Sequence, residues 1–293
     1  MKSLKLWTAL ITPMHPDGSI HFEDLERLAK RQDEAGVGIL LAGSTGEGLA
    51  LSGGEKKKVV EFVAGLNLAV PIMVGVGGFN HTTQAKWIIH CNSLDIDAFL
   101  LVTPLYAKPG IKGQTTWFRH LMDISEKPCM LYNIPSRTGV KMSPEVLTSL
   151  KNHKNLWAVK EASGSVSDFK IFRITLPDLP LFSGDDALMP DFAIEGGRGL
   201  VSVASNIWPK ATKLYVEKCL KGETESLFPV WPDAVKELFS AANPIPAKCL
   251  LKEKGLISHT TLRLPLIEDD LANTEKLLKA DQQVNHWYKN NSE

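Results

Sequence analysis

Leu156-Trp157-Ala158-Val159-Lys160-Glu161-Ala162 is an apolar run of strand length that carries two charges near its end. It is too short for a buried helix and shows no polar alternation, so it reads as a strand covered on both faces. Similar runs stand at 6–12, 38–42, 71–76, 98–103, 129–134, 179–183 and 199–204, most of them closed by polar or Gly/Pro punctuation. Working outward from the first, the segments between runs read as helices. Phe22, Leu25, Leu28, Ala29 and Ala35 repeat at helical spacing, with Gly36 as the stop. Ser52 and Glu55 have capping-box spacing ahead of Val59, Val60 and Phe62. Ser143-Pro144-Glu145 supplies an N-cap followed by proline at the first helical position.

Strand and helix thus alternate eight times, the pattern of parallel strands joined by crossover helices. A closed barrel and an open doubly wound sheet both satisfy it, and eight units within roughly 220 residues favour the barrel. After Asn206 the strand signal ends. Segments 209–221, 223–242, 246–253 and 268–288 read as helices, broken at Asn243-Pro244 and Leu264-Pro265. The expected fold is α/β, a (β/α)8 TIM barrel over 1–222, with a helical region over 223–293 packed on it.

Composition excludes several functions. Of 293 residues 44% are hydrophobic and 23% charged, enough for one large core. Thirty-three basic residues balance 33 acidic ones, without the basic excess of a nucleic-acid binder. The longest basic run, Lys56-Lys57-Lys58, reads as a solvated helix face. Cys91, Cys129, Cys219 and Cys249 form no CxxC pair, which excludes zinc ribbons and redox motifs and suits a reducing cytoplasm. Lys2 and Lys5 precede an apolar stretch as in a secretion signal. Pro13 interrupts it, however, and His15-Pro16-Asp17-Gly18 stands where a cleavage site belongs, so a first core strand is expected. No run approaches the roughly 18–20 apolar residues of a membrane span. The histidines lack HExxH spacing, so no metal is expected.

Barrel strands deliver side chains to one face at their C-terminal ends. Polar residues gather there: Ser44 and Thr45 after the second run, Tyr106 after the fourth, Tyr132 and Arg137 on and after the fifth, Lys160 on the sixth, Gly184-Asp185-Asp186 after the seventh. A lysine in a buried strand needs a lowered pKa or a paired charge. The first gives a neutral amine able to attack a ketone; the second gives a structural ion pair. Arg137 suits a carboxylate clamp or a loop salt bridge. Tyr132 and Tyr106 suit proton transfer or packing. Ser44 and Thr45 lie in a glycine-flanked turn fit for an anion, although it lacks the Gly-Lys-Ser/Thr ending of a nucleotide loop.

Together these segments are specific. Gly43-Ser44-Thr45-Gly46-Glu47, Tyr132-Asn133-Ile134-Pro135-Ser136-Arg137-Thr138-Gly139 and Val159-Lys160-Glu161-Ala162-Ser163-Gly164 closely resemble the signatures of the dihydrodipicolinate synthase and N-acetylneuraminate lyase family. Gly184-Asp185-Asp186, Asn243-Pro244-Ile245-Pro246 and Leu262-Arg263-Leu264-Pro265 extend the resemblance across nearly the whole chain. Arg137 is typical of the synthase branch. The resemblance implies a Schiff base between Lys160 and pyruvate, condensed as an enamine with aspartate semialdehyde. It implies Tyr132, Ser44 and Tyr106 as a proton relay, with Tyr106 reaching into a neighbouring subunit. It assigns the pyruvate carboxylate to Thr45 and the Val201 backbone, counts Gly184 among the substrate-binding residues, and gives the semialdehyde carboxylate to Arg137. It implies no cofactor and a homotetramer built from dimers. The rival within the family is cleavage of sialic acid or a 2-keto-3-deoxy sugar acid, which Lys160 and Tyr132 would serve equally. A rival from another class is a non-catalytic binding barrel, in which Lys160 would be dispensable.

Three departures stand out. Ser44 replaces a common threonine, and Leu105 replaces a second tyrosine. Asn80 of the family's lysine feedback site is kept, whereas Gly48, Leu49, Gly53, Lys56 and Gln84 replace its other groups. Weak or absent lysine inhibition is expected.

Overall fold

A computed structural model describes residues 4–292. The first half runs β1 (Leu6–Ala9), α1 (Phe22–Ala35), β2 (Gly38–Leu41), α2 (Gly53–Ala64), β3 (Ile72–Val76), α3 (His81–Asn92), β4 (Ala98–Val102) and α4 (Ile111–Ile124). It continues through β5 (Cys129–Asn133), α5 (Pro135–Thr138), α6 (Pro144–Leu150), β6 (Leu156–Glu161), α7 (Val166–Thr175), β7 (Leu181–Ser183), α8 (Met189–Ile194) and β8 (Gly199–Ser202). The last helices are α9 (Pro209–Lys221), α10 (Val230–Leu238), α11 (Ile245–Glu253) and α12 (Glu275–Asn291). The eight strands pair in parallel in chain order, and β8 returns to β1 to close the barrel. Among the described residues, no helix is long and apolar enough to cross a membrane.

Alternation along each strand divides the core in two. The outward positions Ile39, Leu41, Val74, Phe99, Leu131, Val159 and Leu200 pack beneath the helices. Inward positions Leu40, Met73, Leu100, Met130, Ala158 and Val201 fill the barrel. Trp7, Trp157 and Phe182 plug its lower end, with neighbouring ring centroids 6.0 and 5.9 Å apart. Gly38 makes room for that plug, because a Cβ there would lie 2.6 Å from the Trp7 ring. With the lower end of the barrel filled by aromatic rings, its interior opens where the strands finish.

The local signals act as the sequence predicts. Gly36 ends α1 at φ 65°, Ser52 and Glu55 complete the capping box of α2, and Ser143 caps α6 ahead of Pro144. Differences have local causes. β7 begins at Leu181 because Pro180 has no N–H for the ladder. The helix expected over 223–242 is only α10, since Pro229 follows a separate turn at Glu225–Leu227. The helix expected from 268 starts at Glu275. Residues Glu268–Asp270 form a 3-10 turn held by the Thr260 hydroxyl, and Leu271 is extended. Lys56 is not a solvated surface residue either: it is half-buried, with its ammonium 5.8 Å from the Trp87 ring centre.

Helix α9 packs on α1, α8 and the β1–β8 seam, completing the helical ring. Trp231 of α10 stacks on Tyr215 of α9 at 4.3 Å and meets Trp287 of α12 edge-on at 5.3 Å. The Trp208 indole N–H donates to Asp281 of α12 at 2.7 Å. These aromatics seat the last helices against the barrel.

Candidate active site

A cavity of about 660 Å³ opens at the C-terminal ends of the strands. Ser44, Thr45, Tyr106, Tyr132, Arg137, Lys160, Gly184 and Val201 all line it. Lys160 follows Ala158 by two residues, so the barrel's period-two rule turns its side chain inward. It pairs in register with Tyr132 on one side and Phe182 on the other. Its Nζ lies 4.3 Å from the centre of the Tyr132 ring. Gly184 lets the lysine stem pass, because a Cβ at that position would sit 2.6 Å from Lys160 Cε.

Burial is the chief influence on this amine, lowering its pKa from 10.5 to about 7. The Asp186 carboxylate opposes the fall and the Arg137 guanidinium adds to it. Asp186 is itself fully buried, and burial raises it to about 6. It accepts from the Val203 N–H at 2.9 Å and from the Ser202 hydroxyl, which fixes it as a counter-charge. Near neutral pH a large fraction of Lys160 is therefore unprotonated, the form a carbonyl carbon accepts.

Tyr132 is buried, which raises its phenol pKa; Arg137 and the neighbouring Ser44 hydroxyl counteract that rise. Thr103 donates to the Tyr132 carbonyl at 3.0 Å, tying β4 to β5 beneath the phenol. The loop that carries Arg137 is held from below. Asn133 donates to Glu161 at 2.7 Å and accepts from the Met142 N–H at 2.8 Å, and Glu161 also accepts from the Ser163 N–H at 2.7 Å. Arg137 itself is exposed at the rim. Tyr106 stands apart from the buried pair: it is 85% exposed, at φ 64°, and its ring faces Phe79 at 6.3 Å.

The decisive comparison is with family patterns: residues 2–284 match the model of the dihydrodipicolinate synthetase family. The chain belongs to that family. Among curated members, the 4-hydroxy-tetrahydrodipicolinate synthase of Francisella tularensis subsp. novicida is 50% identical over 285 residues, 97% of each chain. Among solved members, the 4-hydroxy-tetrahydrodipicolinate synthase of Methylacidiphilum fumariolicum has a TM-score of 0.93 at 32% identity, covering 99% of this chain and 98% of that one. The dihydrodipicolinate synthase of Acinetobacter baumannii, solved in complex with pyruvate, has a TM-score of 0.91 at 31% identity over 97% and 99% of the chains. This member of the dihydrodipicolinate synthetase family is an enzyme, a lyase on a TIM barrel.

Sequence reasoning misses how the Ser44–Thr45 loop of this family member is supported. Lys248 of α11 is fully buried and donates to Glu47 Oε1 at 2.5 Å and to the Thr261 carbonyl at 2.7 Å. The Arg263 N–H donates to Glu47 Oε2 at 2.7 Å, and Asn243 Nδ2 donates to Thr45 Oγ1 at 2.9 Å. Asn243-Pro244 is visible as a break, and nothing in the sequence distinguishes buried Lys248 from Lys252, which stands on the same helix and is partly exposed. Asn80 accepts from the Thr83 N–H at 3.0 Å as the N-cap of α3. His15, His21 and Glu23 come within metal-binding reach of one another away from the cavity lining, but His21 Nδ1 already accepts the Asp24 N–H as the cap of α1.

Proposed function

We propose that this chain condenses pyruvate with aspartate 4-semialdehyde to 4-hydroxy-tetrahydrodipicolinate, the step that opens diaminopimelate and lysine biosynthesis. The observation that carries the proposal is Lys160, an amine with a pKa of about 7 buried at the base of the mouth cavity. Its lone pair attacks the ketone carbon, and the carbinolamine loses water to give an iminium. The iminium draws electrons from the adjacent methyl, which gives up a proton and becomes an enamine carbon. That carbon bonds to the semialdehyde carbon, and the new oxygen takes a proton. Attack by the semialdehyde's own amine on the imine carbon closes the ring and returns Lys160. The imine serves as electron sink, so the sequence of steps calls for neither cofactor nor metal.

In this proposal Thr45 and the Val201 backbone take the pyruvate carboxylate. Gly184 adjoins the imine, and Arg137 at the rim takes the carboxylate of the second substrate. Tyr132 and Ser44 pass protons with Tyr106, which in a single chain faces solvent and would serve a neighbouring subunit. Exposed Leu49 and Tyr106 at the mouth, with exposed Phe79 beside Tyr106, support a dimer contact there. Exposed Ile171, Ile174 and Ile194 on α7 and α8 support a second contact, hence a homotetramer. The catalytic barrel would comprise 1–222 and the supporting helical region 223–293, of which 1–3 and 293 lie outside the described residues. Four buried, unpaired cysteines suit a cytoplasmic protein.

The test is borohydride reduction with pyruvate, followed by peptide mass mapping, on wild type and Arg137→Ala. Wild type is expected to carry a pyruvyl adduct on Lys160. Arg137→Ala is expected to keep the adduct and lose turnover with aspartate semialdehyde. An adduct elsewhere, or pyruvate release from a sugar acid in place of condensation, refutes the assignment.

A further inference from the structure

Thr45 has one hydroxyl proton, and where it points decides whether this residue can hold a carboxylate. The side chain is 4% exposed and borders the cavity. A hydroxyl donates once and accepts on its lone pairs. Asn243 Nδ2 donates to Thr45 Oγ1 at 2.9 Å, so the amide occupies the acceptor side of the oxygen. Among the described residues no hydrogen bond takes the Thr45 proton, which leaves it for a ligand in the cavity that both side chains line. The opposite amide orientation would bring Asn243 Oδ1 to Thr45 and consume the proton. Instead Oδ1 is buried without a partner among the described residues.

The amide is also held in place. Asn243 lies two residues before α11, and Lys248 of the same helix grips Glu47, two residues beyond Thr45. The Arg263 N–H closes on the other carboxylate oxygen of Glu47 at 2.7 Å. The segment from Asn243 to Arg263 thus meets the loop after β2 at two of its side chains, once to anchor the backbone and once to aim a hydroxyl.

We propose that Asn243 is a positioning residue for the donor substrate: it fills the acceptor side of the Thr45 hydroxyl and so presents that proton to the carboxylate of a 2-oxo acid. The inference rests on the assignment of that carboxylate to Thr45. It makes Asn243 act on pyruvate through Thr45 and leaves the acceptor aldehyde to other groups.

A double-mutant cycle tests it, using Thr45→Val, Asn243→Ala and the pair, with Asn243→Asp as an isosteric control. The readouts are the pyruvate dependence of the borohydride-trapped Lys160 adduct, and KM for each substrate with kcat. Asn243→Ala is expected to raise half-saturating pyruvate about tenfold, the effect of losing a hydrogen bond to a charged group, with KM for the semialdehyde little changed. In the Thr45→Val background the same change is expected to add less than about twofold, because its route has been removed. Asn243→Asp keeps the volume but offers only acceptors, and is expected to weaken pyruvate capture at least as much as alanine. Fully multiplicative effects in the cycle, or wild-type pyruvate saturation in Asn243→Asp, overturn the inference. Wild-type saturation in Thr45→Val overturns the carboxylate assignment beneath it.

Discussion

Holding an amine uncharged near pH 7 destabilises the fold, and the size of that effect can be measured by removing the amine. The Lys160 pKa falls from 10.5 to about 7, a gap of 10.5 − 7 = 3.5 units. Each unit corresponds to about 1.4 kcal/mol, so keeping this lysine costs on the order of 5 kcal/mol below pH 7. Between pH 7 and 10.5 the unfolded chain holds a proton that the folded chain has released. Stability from this group therefore rises with pH across that window, about tenfold in the folding equilibrium per unit, and is lost as pH falls toward 7. Lys160→Met removes the titration while keeping most of the volume. The variant is expected to be more stable than wild type by roughly 4 kcal/mol at pH 7, with the difference shrinking by more than half by pH 9. Asp186, raised to about 6 by burial, protonates more readily once the Lys160 charge is gone, which widens the difference further at the acid end. Urea melts of both proteins at pH 7, 8 and 9 make the measurement. The same ionisation governs chemistry: the rate of pyruvate adduct formation should rise with pH through about 7, and Asp186→Asn should move that limb lower by removing the charge that favours the ammonium. A stability difference independent of pH, or a wild type that is the more stable at pH 7, would refute the reasoning.

Gly184→Ala places a Cβ 2.6 Å from Lys160 Cε and 2.7 Å from Ala162 Cβ; displacing the amine by ~1 Å should lower kcat about 100-fold, and turnover near wild type would show the lysine can yield. Lys248→Met strands a buried Glu47 carboxylate and should cost about 3–5 kcal/mol in urea melts, most of it recovered when Glu47→Gln is added. Equal losses in the single and double variants would show that the pair is not what anchors the loop. Submillimolar lysine should leave the initial rate unchanged, because Lys56 borders the cavity beside Gly48 and Leu49 and opposes a second cation. Half-maximal inhibition in that range would show the site to be intact.

The barrel is legible because its signals are local. Eight short apolar runs, the Gly36 stop and the Ser52–Glu55 box each state their structure within a few residues. The placement of Lys160 and Tyr132 at the mouth is legible for the same reason: each stands near the end of an apolar run, where a barrel strand delivers its side chains to one face. Less visible is whatever depends on residues far apart in the chain. The contacts between Thr45 and Asn243 and between Glu47 and Lys248 span 198 and 201 positions, and no window of sequence contains both partners. The helix starts at 230 and 275 lie later than the sequence pattern places them, because proline chemistry and a tertiary hydrogen bond to Glu268 override helix propensity.

Two buried lysines in this chain show why burial alone does not identify a nucleophile. Lys160 and Lys248 are both removed from water, and burial is the largest influence lowering each pKa. Lys248 is given what an ammonium needs: a carboxylate at 2.5 Å and a carbonyl at 2.7 Å, both in direct hydrogen-bond geometry. Lys160 has an aromatic face at 4.3 Å and a carboxylate already committed to Ser202 and the Val203 N–H. No hydrogen bond or ion pair reaches its Nζ among the described residues, and the space beside it is open. Lys248 is therefore tied to its acceptors and braces a loop, whereas Lys160 can part with its proton and meet a carbonyl carbon. What separates the brace from the nucleophile is the supply of acceptors around each ammonium. It follows that adding an acceptor within reach of Lys160, rather than making it more solvent-exposed, is the most direct way to convert it into a second brace and silence the site.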